Sequence, residues 1–220
     1  MPVSSIAVVM PVRGRTALTV EAFRRLWATA NVPATYIAVG GRDDIDTITA
    51  AAALEHVQPL IADTPRLSYW GALRIATNEL DDDTLVATVA SDLLPVVGWL
   101  SRARRDYDYH TRINRDAVIG FNGDGYGDEH ACHWLVSMRA IRRWGGWPVW
   151  YDHNFGDNEI VTRAKQEGIW YKSPYAILYH NHPMIGAARN YDATYEEGSL
   201  MFTRDGNLFE RRKASNWTAS

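Results

Sequence analysis

Ile6-Ala7-Val8-Val9-Met10-Pro11 is an unbroken apolar run, rich in β-branched residues and closed by a proline. A run of this length without polar alternation suits a strand buried on both faces, and such strands belong to parallel sheets covered by helices. The pattern then repeats. Thr16 stands where a helix N-cap is wanted, ahead of a face made of Leu18, Phe23, Leu26, Trp27 and Ala30. Tyr36 to Val39 predicts a second strand, stopped by Gly40-Gly41, and Asp44 or Asp46 would cap a short helix through Ile45, Ile48, Ala52 and Leu54. Ser68 opens another helix with Leu73, Ala76 and Leu80 on one side, and Leu85 to Ala90 predicts a third strand that stops at Ser91-Asp92. Three alternations of strand and helix predict an α/β protein, an open sheet with helices on both faces. Ligands of such sheets bind outside the carboxyl ends of the strands, here at Pro11 to Arg15, Gly40 to Asp44 and Ser91 to Pro95.

The second half follows a different rhythm. Val118 to Phe121 and Trp134 to Met138 predict short strands flanking a glycine- and acid-rich loop, Asn122 to His130. Helices are expected from Arg139 to Trp144, before Gly145-Gly146, and from Gly156-Asp157 to Gly168. A strand over Ala176 to Tyr179 leads into His180-Asn181-His182-Pro183, and the tail beyond Asn190 promises one or two helical turns at most, frayed or docked on a partner at Arg211-Arg212-Lys213. No repeat or low-complexity linker divides the chain. The 220 residues therefore read as a single domain, with a ligand-binding half to about residue 100, a second half over 101–183 and a C-terminal extension over 184–220.

Composition narrows the function. The net charge of -3 excludes a protein that coats nucleic acid or membrane by bulk charge. One cysteine, Cys132, excludes an internal disulfide framework and a thiolate cluster, and a buried inert thiol is its default reading. No apolar run spans a bilayer, and the stretch Met1 to Pro11 lacks a basic n-region, so a soluble cytoplasmic protein is expected. Nine Trp and 11 Tyr against 5 Phe supply apolar faces with polar handles, as sugar- and base-binding surfaces require. Twenty Arg against 3 Lys suit phosphate recognition and equally a GC-rich genome.

Four stretches together resemble a family 2 type glycosyltransferase with the GT-A fold, in the compact form of bacteria and phages. They are Val8 to Arg15; Val86 to Pro95 with Gly98-Trp99-Leu100; Arg143-Trp144-Gly145-Gly146-Trp147 followed by Asp157-Asn158-Glu159-Ile160 and Arg163; and Leu178-Tyr179-His180-Asn181-His182. The resemblance covers roughly residues 5 to 183. It implies a Rossmann-like nucleotide-diphospho-sugar transferase with an open mixed sheet, located in the host cytoplasm if phage-encoded. Such an enzyme transfers a sugar to an acceptor hydroxyl, inverting, with Mn2+ or Mg2+ bridging the donor diphosphate.

Hard cations take carboxylate, imidazole and water ligands. The family's acidic-x-acidic turn reads Ala90-Ser91-Asp92 here, leaving Asp92 as the strong ligand, or as a cap on the 93–100 segment. His180 and His182 lie two apart and share a strand face; the resemblance makes one of them a metal or phosphate ligand, His180 first. The base falls on Asp157, with Glu159 as the alternative; an N-cap and a Glu159–Arg163 pair would account for the same residues. The donor falls to Pro11, Val12 and Arg15, to Gly40, Gly41 and Arg42, and to Arg66, Tyr69 and Trp70, although Tyr69 and Trp70 equally suit a core. Trp147, Trp150 and Tyr151, with the Asn122 to His130 loop, would receive the acceptor. Arg102, Arg104, Arg105, Arg112 and Arg115 form a local basic patch, either a solvated helix face or a grip on DNA carrying a flipped hydroxymethylated base. A protein, a cell-wall glycan or a small molecule is the alternative acceptor. The rival functions are a non-catalytic nucleotide-sugar or glycan-binding domain, and a nucleotidyltransferase.

Overall fold

The computed structural model describes residues 5–182 and 193–218. Pro183 and the first residues of the C-terminal extension, 184–192, lie outside the described residues, as do residues 1–4. Eight strands form one open sheet: β1 (Ile6–Pro11), β2 (Thr35–Gly40), β3 (Val57–Ile61), β4 (Leu85–Thr88), β5 (Leu93–Pro95), β6 (Val118–Asn122), β7 (Trp134–Ser137) and β8 (Trp170–His180). Their order is β3-β2-β1-β4-β7-β6-β8-β5. The first four strands run parallel, β7 is antiparallel to both its neighbours, and β5 is antiparallel to β8. The mixed sheet expected from the resemblance is present.

Alternation along β1 shows how the sheet is covered. Ile6, Val8 and Met10 point into one apolar layer with Phe23, Leu26, Ile48, Trp99 and Leu100. These come from α1 (Thr16–Thr29), α2 (Ile45–Ala52) and α4 (Trp99–His110). Ala7 and Val9 point into the other, with Trp70, Leu73, Ile141, Ile160, Leu208 and Phe209. Those belong to α3 (Tyr69–Thr77), α5 (Met138–Arg143), α6 (Gly156–Gln166) and α7 (Ala193–Ala214).

Several local expectations need correction. The third parallel strand is Val57–Ile61, hidden in sequence because Gln58 and Pro59 interrupt its apolar run. An edge strand tolerates that proline because one side of it has no ladder to make. Thr16 does not cap α1: Arg15 holds the N-cap position in the left-handed region at φ 52°, and the Thr16 hydroxyl bonds that of Thr47 at 2.8 Å. Leu18 and Trp27 are more than half exposed, and the Trp27 ring stacks on His56. Neither Asp44 nor Asp46 caps α2 by its side chain; Asp44 is turned back to accept the Gly14 N–H at 2.9 Å. Asp92 is no cap on the following helix, which starts at Trp99 behind Gly98. β8 begins at Trp170, well before Ala176.

The largest difference is the tail. Instead of one or two turns it forms the 22-residue α7, and it is docked on its own chain. Among its described side chains the buried positions are Gly198, Asp205, Leu208, Phe209 and Arg212, spaced as one helix face. Three of these five are not apolar, so no hydrophobic stripe marks the helix in sequence. The buried Asp205 carboxylate accepts the backbone N–H groups of Asp152, His153 and Asn154 at 2.8–3.2 Å, fixing the loop that enters α6. Gly198 sits against His153, where a Cβ would collide with the imidazole.

Candidate functional site

The carboxyl ends of β1, β4 and β8 open into a cavity of about 650 Å³, bounded also by the starts of α3 and α6 and by Tyr195 and Phe202 of α7. Five of the seven histidines line it: His130, His133, His153, His180 and His182. Its location is the one the sheet topology dictates.

Sheet pairing builds one end. Leu93 of β5 pairs with His180 of β8, and Asn181 N–H donates to the Asp92 carbonyl at 2.9 Å, so the side chains of Asp92 and His180 converge. His180 Nε2 lies 3.5 Å from Asp92 Oδ2. That oxygen also accepts the Tyr195 hydroxyl at 2.9 Å and has Arg15 Nη1 at 3.9 Å. The Arg15 guanidinium lies over the Tyr195 ring, 4.0 Å from its centroid. Among the described residues, Asp92 Oδ1 and His180 Nδ1 are buried with no hydrogen-bond partner. An unpartnered buried carboxylate oxygen is costly unless something else satisfies it. Burial pushes the Asp92 carboxyl up, but the His180 hydrogen bond and charge, with the Tyr195 hydroxyl, outweigh it and hold it below the ordinary carboxylate range. Burial and the neighbouring His180 keep His133 neutral, its imidazole lowered to about 3, and His182 is lowered to about 4 for the same two reasons.

The other end is built on the first turn of α6. Gly156 is required there, because a Cβ would run into the Trp70 indole. Asp157 follows, its side chain 23% exposed into the cavity. Its Oδ2 is 3.1 Å from His130 Nε2, and its Oδ1 accepts the Asn158 N–H at 2.9 Å. Burial raises the Asp157 carboxyl, yet His130, the Asn158 N–H and His133 hold it low and ionised. Cys132 completes a cluster: one ligand atom each from His130, Cys132 and Asp157 lie within 4.8 Å of one another. Burial, and next the charges of Asp157 and Asp124, push the Cys132 thiol well up, so it is no ready nucleophile.

A buried ion pair holds the loop that carries these groups. Lys172 Nζ donates to Asp124 Oδ1 and to the His130 carbonyl, each at 2.6 Å. Asp124 in turn accepts the N–H groups of Tyr126 and Cys132 at 3.2 and 3.1 Å. Asp124, the buried acid of this loop, therefore has a structural role.

Of the residues expected at a site, Pro11, Val12, Arg15, Tyr69, Trp70, Asp92, Asp157, His180 and His182 line the one cavity. Tyr69 hydroxyl reaches His133 Nδ1 at 3.5 Å, and the Trp70 indole N–H donates to the His153 carbonyl. The others are placed elsewhere. Gly40, Gly41 and Arg42 pack on the 62–66 segment: Arg42 N–H donates to Thr64 O, a Cβ on Gly41 would strike the Pro65 carbonyl, and the Arg42 side chain pairs with Asp63. Arg66 is paired with Glu197 of α7. Trp147 is 2% exposed and donates to the Thr77 hydroxyl. Tyr151 is fully buried. Glu159, 1% exposed, accepts from the Trp150 indole, the Tyr151 hydroxyl, Arg163 and Arg212, and Arg212 covers the Trp150 ring at 3.6 Å. These aromatic residues form a core and Glu159 is its electrostatic centre. On α4, Arg104 pairs with Asp108 and Arg105 with Asp106, and none of α4 lines the cavity.

Arg13 and His130, from the strand end and loop expected at the site, also line the cavity, and so do Cys132, His133, His153, Phe155 and Tyr195, to which the sequence assigns no site role. The histidines had a signal, their concentration in the second half. Tyr195 had none.

No protein-family model matches the sequence, and no curated protein matches it. Solved structures do. A mannosyltransferase from Pyrobaculum calidifontis, in complex with GDP-mannose and Mn2+, superposes with TM-score 0.62 at 13% identity over 79% of this chain and 55% of its own. The fold is that of the GT-A glycosyltransferases. S. aureus TarS in complex with UDP-GlcNAc gives TM-score 0.58 at 11% identity, over 88% of this chain and 64% of that one. Drosophila β-1,4-galactosyltransferase 7, with manganese, UDP-galactose and xylobiose, gives 0.54 at 13% identity, over 89% and 79%. The chain thus spans about half the length of the mannosyltransferase it resembles. Among the described residues no helix is long and apolar enough to cross a membrane.

Proposed function

We propose that the protein is a glycosyltransferase that moves a sugar from a nucleoside-diphosphate donor to an acceptor hydroxyl with inversion, assisted by Mn2+ or Mg2+. The observation that carries it is the pair of unpartnered, buried polar atoms, Asp92 Oδ1 and His180 Nδ1, at the strand ends of a GT-A fold. A carboxylate and an imidazole suit a divalent cation of this class, so Asp92 and His180 would hold it, with His182 beside them. Once bound, the cation neutralises charge on the departing diphosphate.

The chain's own residues do the rest. Pro11 and Val12 offer a wall for the nucleoside, and Arg15 brings a guanidinium beside Asp92 for a phosphate. Asp157, held ionised, takes the proton from the acceptor hydroxyl as that oxygen bonds to the anomeric carbon and the nucleoside diphosphate leaves. Tyr69, Tyr126 and Phe155 give the cavity aromatic faces for a sugar or base. Cytoplasmic location accords with this reading. A hydroxymethylated DNA base as acceptor, with a phage origin, is the finer form of the proposal; the paired arginines of α4 lend it no support.

A panel of nucleoside diphosphates and nucleotide sugars, with and without Mn2+, tests the reading by thermal shift. A ligand at 100 times its Kd stabilises the fold by about 2.7 kcal/mol, roughly 5–10 °C for a chain of this size. No shift with any nucleotide sinks the proposal. Donor affinity unchanged in Asp92→Ala sinks its metal-centred part, and binding without any donor hydrolysis favours a non-catalytic domain. Retention on hydroxymethylated DNA, lost steeply with added salt, is the result the DNA acceptor requires.

A further inference from the structure

The His130, Cys132 and Asp157 cluster has chemistry that the proposed transfer does not use. We infer that these three residues form a second cation site, for Zn2+ or a similarly thiophilic ion, separate from Asp92 and His180.

The geometry begins with the backbone. His130 is extended, at φ −150° and ψ 156°, and residues two apart on extended chain face the same way. The ligand atoms of His130 and Cys132 both reach the start of α6, where Asp157 sits. Tetrahedral zinc with nitrogen, oxygen and sulfur ligands sets those atoms about 3.3–3.6 Å apart. His130 Nε2 and Asp157 Oδ2 are already 3.1 Å apart, and the whole triad falls within 4.8 Å. Small side-chain rotations close the difference. All three side chains are partly exposed, and all three line the cavity, so an ion has a path to them.

The supporting contacts are those of a held site. The Lys172–Asp124 pair fixes both loop ligands through their backbone, Lys172 at the His130 carbonyl and Asp124 at the Cys132 N–H. The Asn158 N–H bonds the Asp157 oxygen that the imidazole leaves untouched. Such outer contacts orient ligands and raise affinity. The positive end of α6 opposes a cation, but the Cys132 thiol would release its proton to solvent as the ion binds, and thiolate and carboxylate together then bring two negative charges against it. The ligand set also selects. Sulfur and imidazole favour zinc over Mg2+ or Mn2+, whereas Asp92 with His180 offers no sulfur. An ion at this site occupies the carboxylate proposed as base, so Zn2+ should inhibit where Mn2+ activates. That consequence rests on the transfer reading; the site does not.

Cobalt titration of the reduced, chelator-treated full chain tests it. Thiolate ligation gives Co2+ an intense near-ultraviolet charge-transfer band, and Cys132 is the only cysteine in the sequence. The band should saturate at one Co2+ per chain and be displaced by Zn2+. Cys132→Ser should lose it, His130→Ala and Asp157→Asn should each bind at least about tenfold more weakly, and Asp92→Ala should leave it unchanged. No band in the wild type overturns the proposal. So does a band indifferent to both His130→Ala and Asp157→Asn, or one saturating at one ion per two chains. These arms stand even if Cys132→Ser fails to fold. The band requires no turnover, so its absence, and the absence of a nucleotide thermal shift, condemn different claims.

Discussion

Glu159→Gln should behave as a folding mutant, not as the loss of a base. Glu159 is 1% exposed and accepts hydrogen bonds from Trp150 Nε1 (3.1 Å), Tyr151 Oη (2.8 Å), Arg163 Nη2 (2.6 Å) and Arg212 Nε (2.8 Å). Arg163 and Arg212 are themselves buried, 8% and 3% exposed. A glutamine keeps the shape but removes the charge to which both buried guanidinium groups donate. Removing one partner of a buried ion pair costs about 3–5 kcal/mol. For a chain of this size each kcal/mol lowers the melting temperature by about 2–4 °C, so a loss of roughly 6–20 °C is expected. Because Arg212 lies on α7, the same variant should loosen that helix, and amide exchange over 205–214 should rise first. The double variant Glu159→Gln with Arg212→Met removes one of the two buried positive charges beside this position and should recover part of the loss. Thermal melts followed by circular dichroism, run on both proteins, decide it. A Glu159→Gln variant that melts with the wild type yet loses transfer would refute the structural assignment and return Glu159 to the chemistry.

Asp157→Asn should do the opposite: transfer falls by about 10²–10⁴ while the melting temperature stays put, as kinetics and melts on one preparation will show. Lys172→Met strips the buried Asp124 of its counterion and should cost about 3–5 kcal/mol, with faster amide exchange concentrated in residues 122–133; protection unchanged there would contradict the role given to this pair. Burial lowers the imidazoles of His56 and His153 below their ordinary value. The unfolded chain then binds protons the folded chain refuses, so stability is full above about pH 6.5 and declines as pH falls below it. Denaturant melts in chelator at about pH 7.5 and 5.5 should show that decline, reduced in His56→Gln; a flat profile refutes it.

Much of the fold is legible in the sequence. The buried runs mark β1, β2 and β4, Ser68 marks the cap of α3, and flanking glycines mark α6, each within a few residues of its ends. These are places where local composition and global packing agree. β3 escapes a sequence reading because an edge strand needs few apolar residues, and α7 because glycine, aspartate and arginine interrupt its buried face beside Leu208 and Phe209. Trp147 and Tyr151 misled for the reverse reason. Aromatic residues look the same in sequence whether they await a ligand or fill a core, and here their polar handles are satisfied by Thr77 and Glu159.

The sequence alone marked three strand ends as candidate ligand sites, since periodicity and turn residues are local properties, and two of the three line the cavity. That was enough to nominate Pro11 to Arg15, Gly40 to Asp44 and Ser91 to Pro95; the resemblance to the GT-A glycosyltransferases added Asp92 as a ligand, Asp157, and the pair His180 and His182. Which of these meet was decided by tertiary structure. The antiparallel pairing of β5 with β8 joins Asp92 to His180, the Lys172–Asp124 pair swings His130 and Cys132 onto Asp157, and α7 brings Tyr195 back to Asp92. Each of these contacts joins segments far apart in the chain and depends on packing and buried charge, and neither leaves a periodic mark in the order of residues.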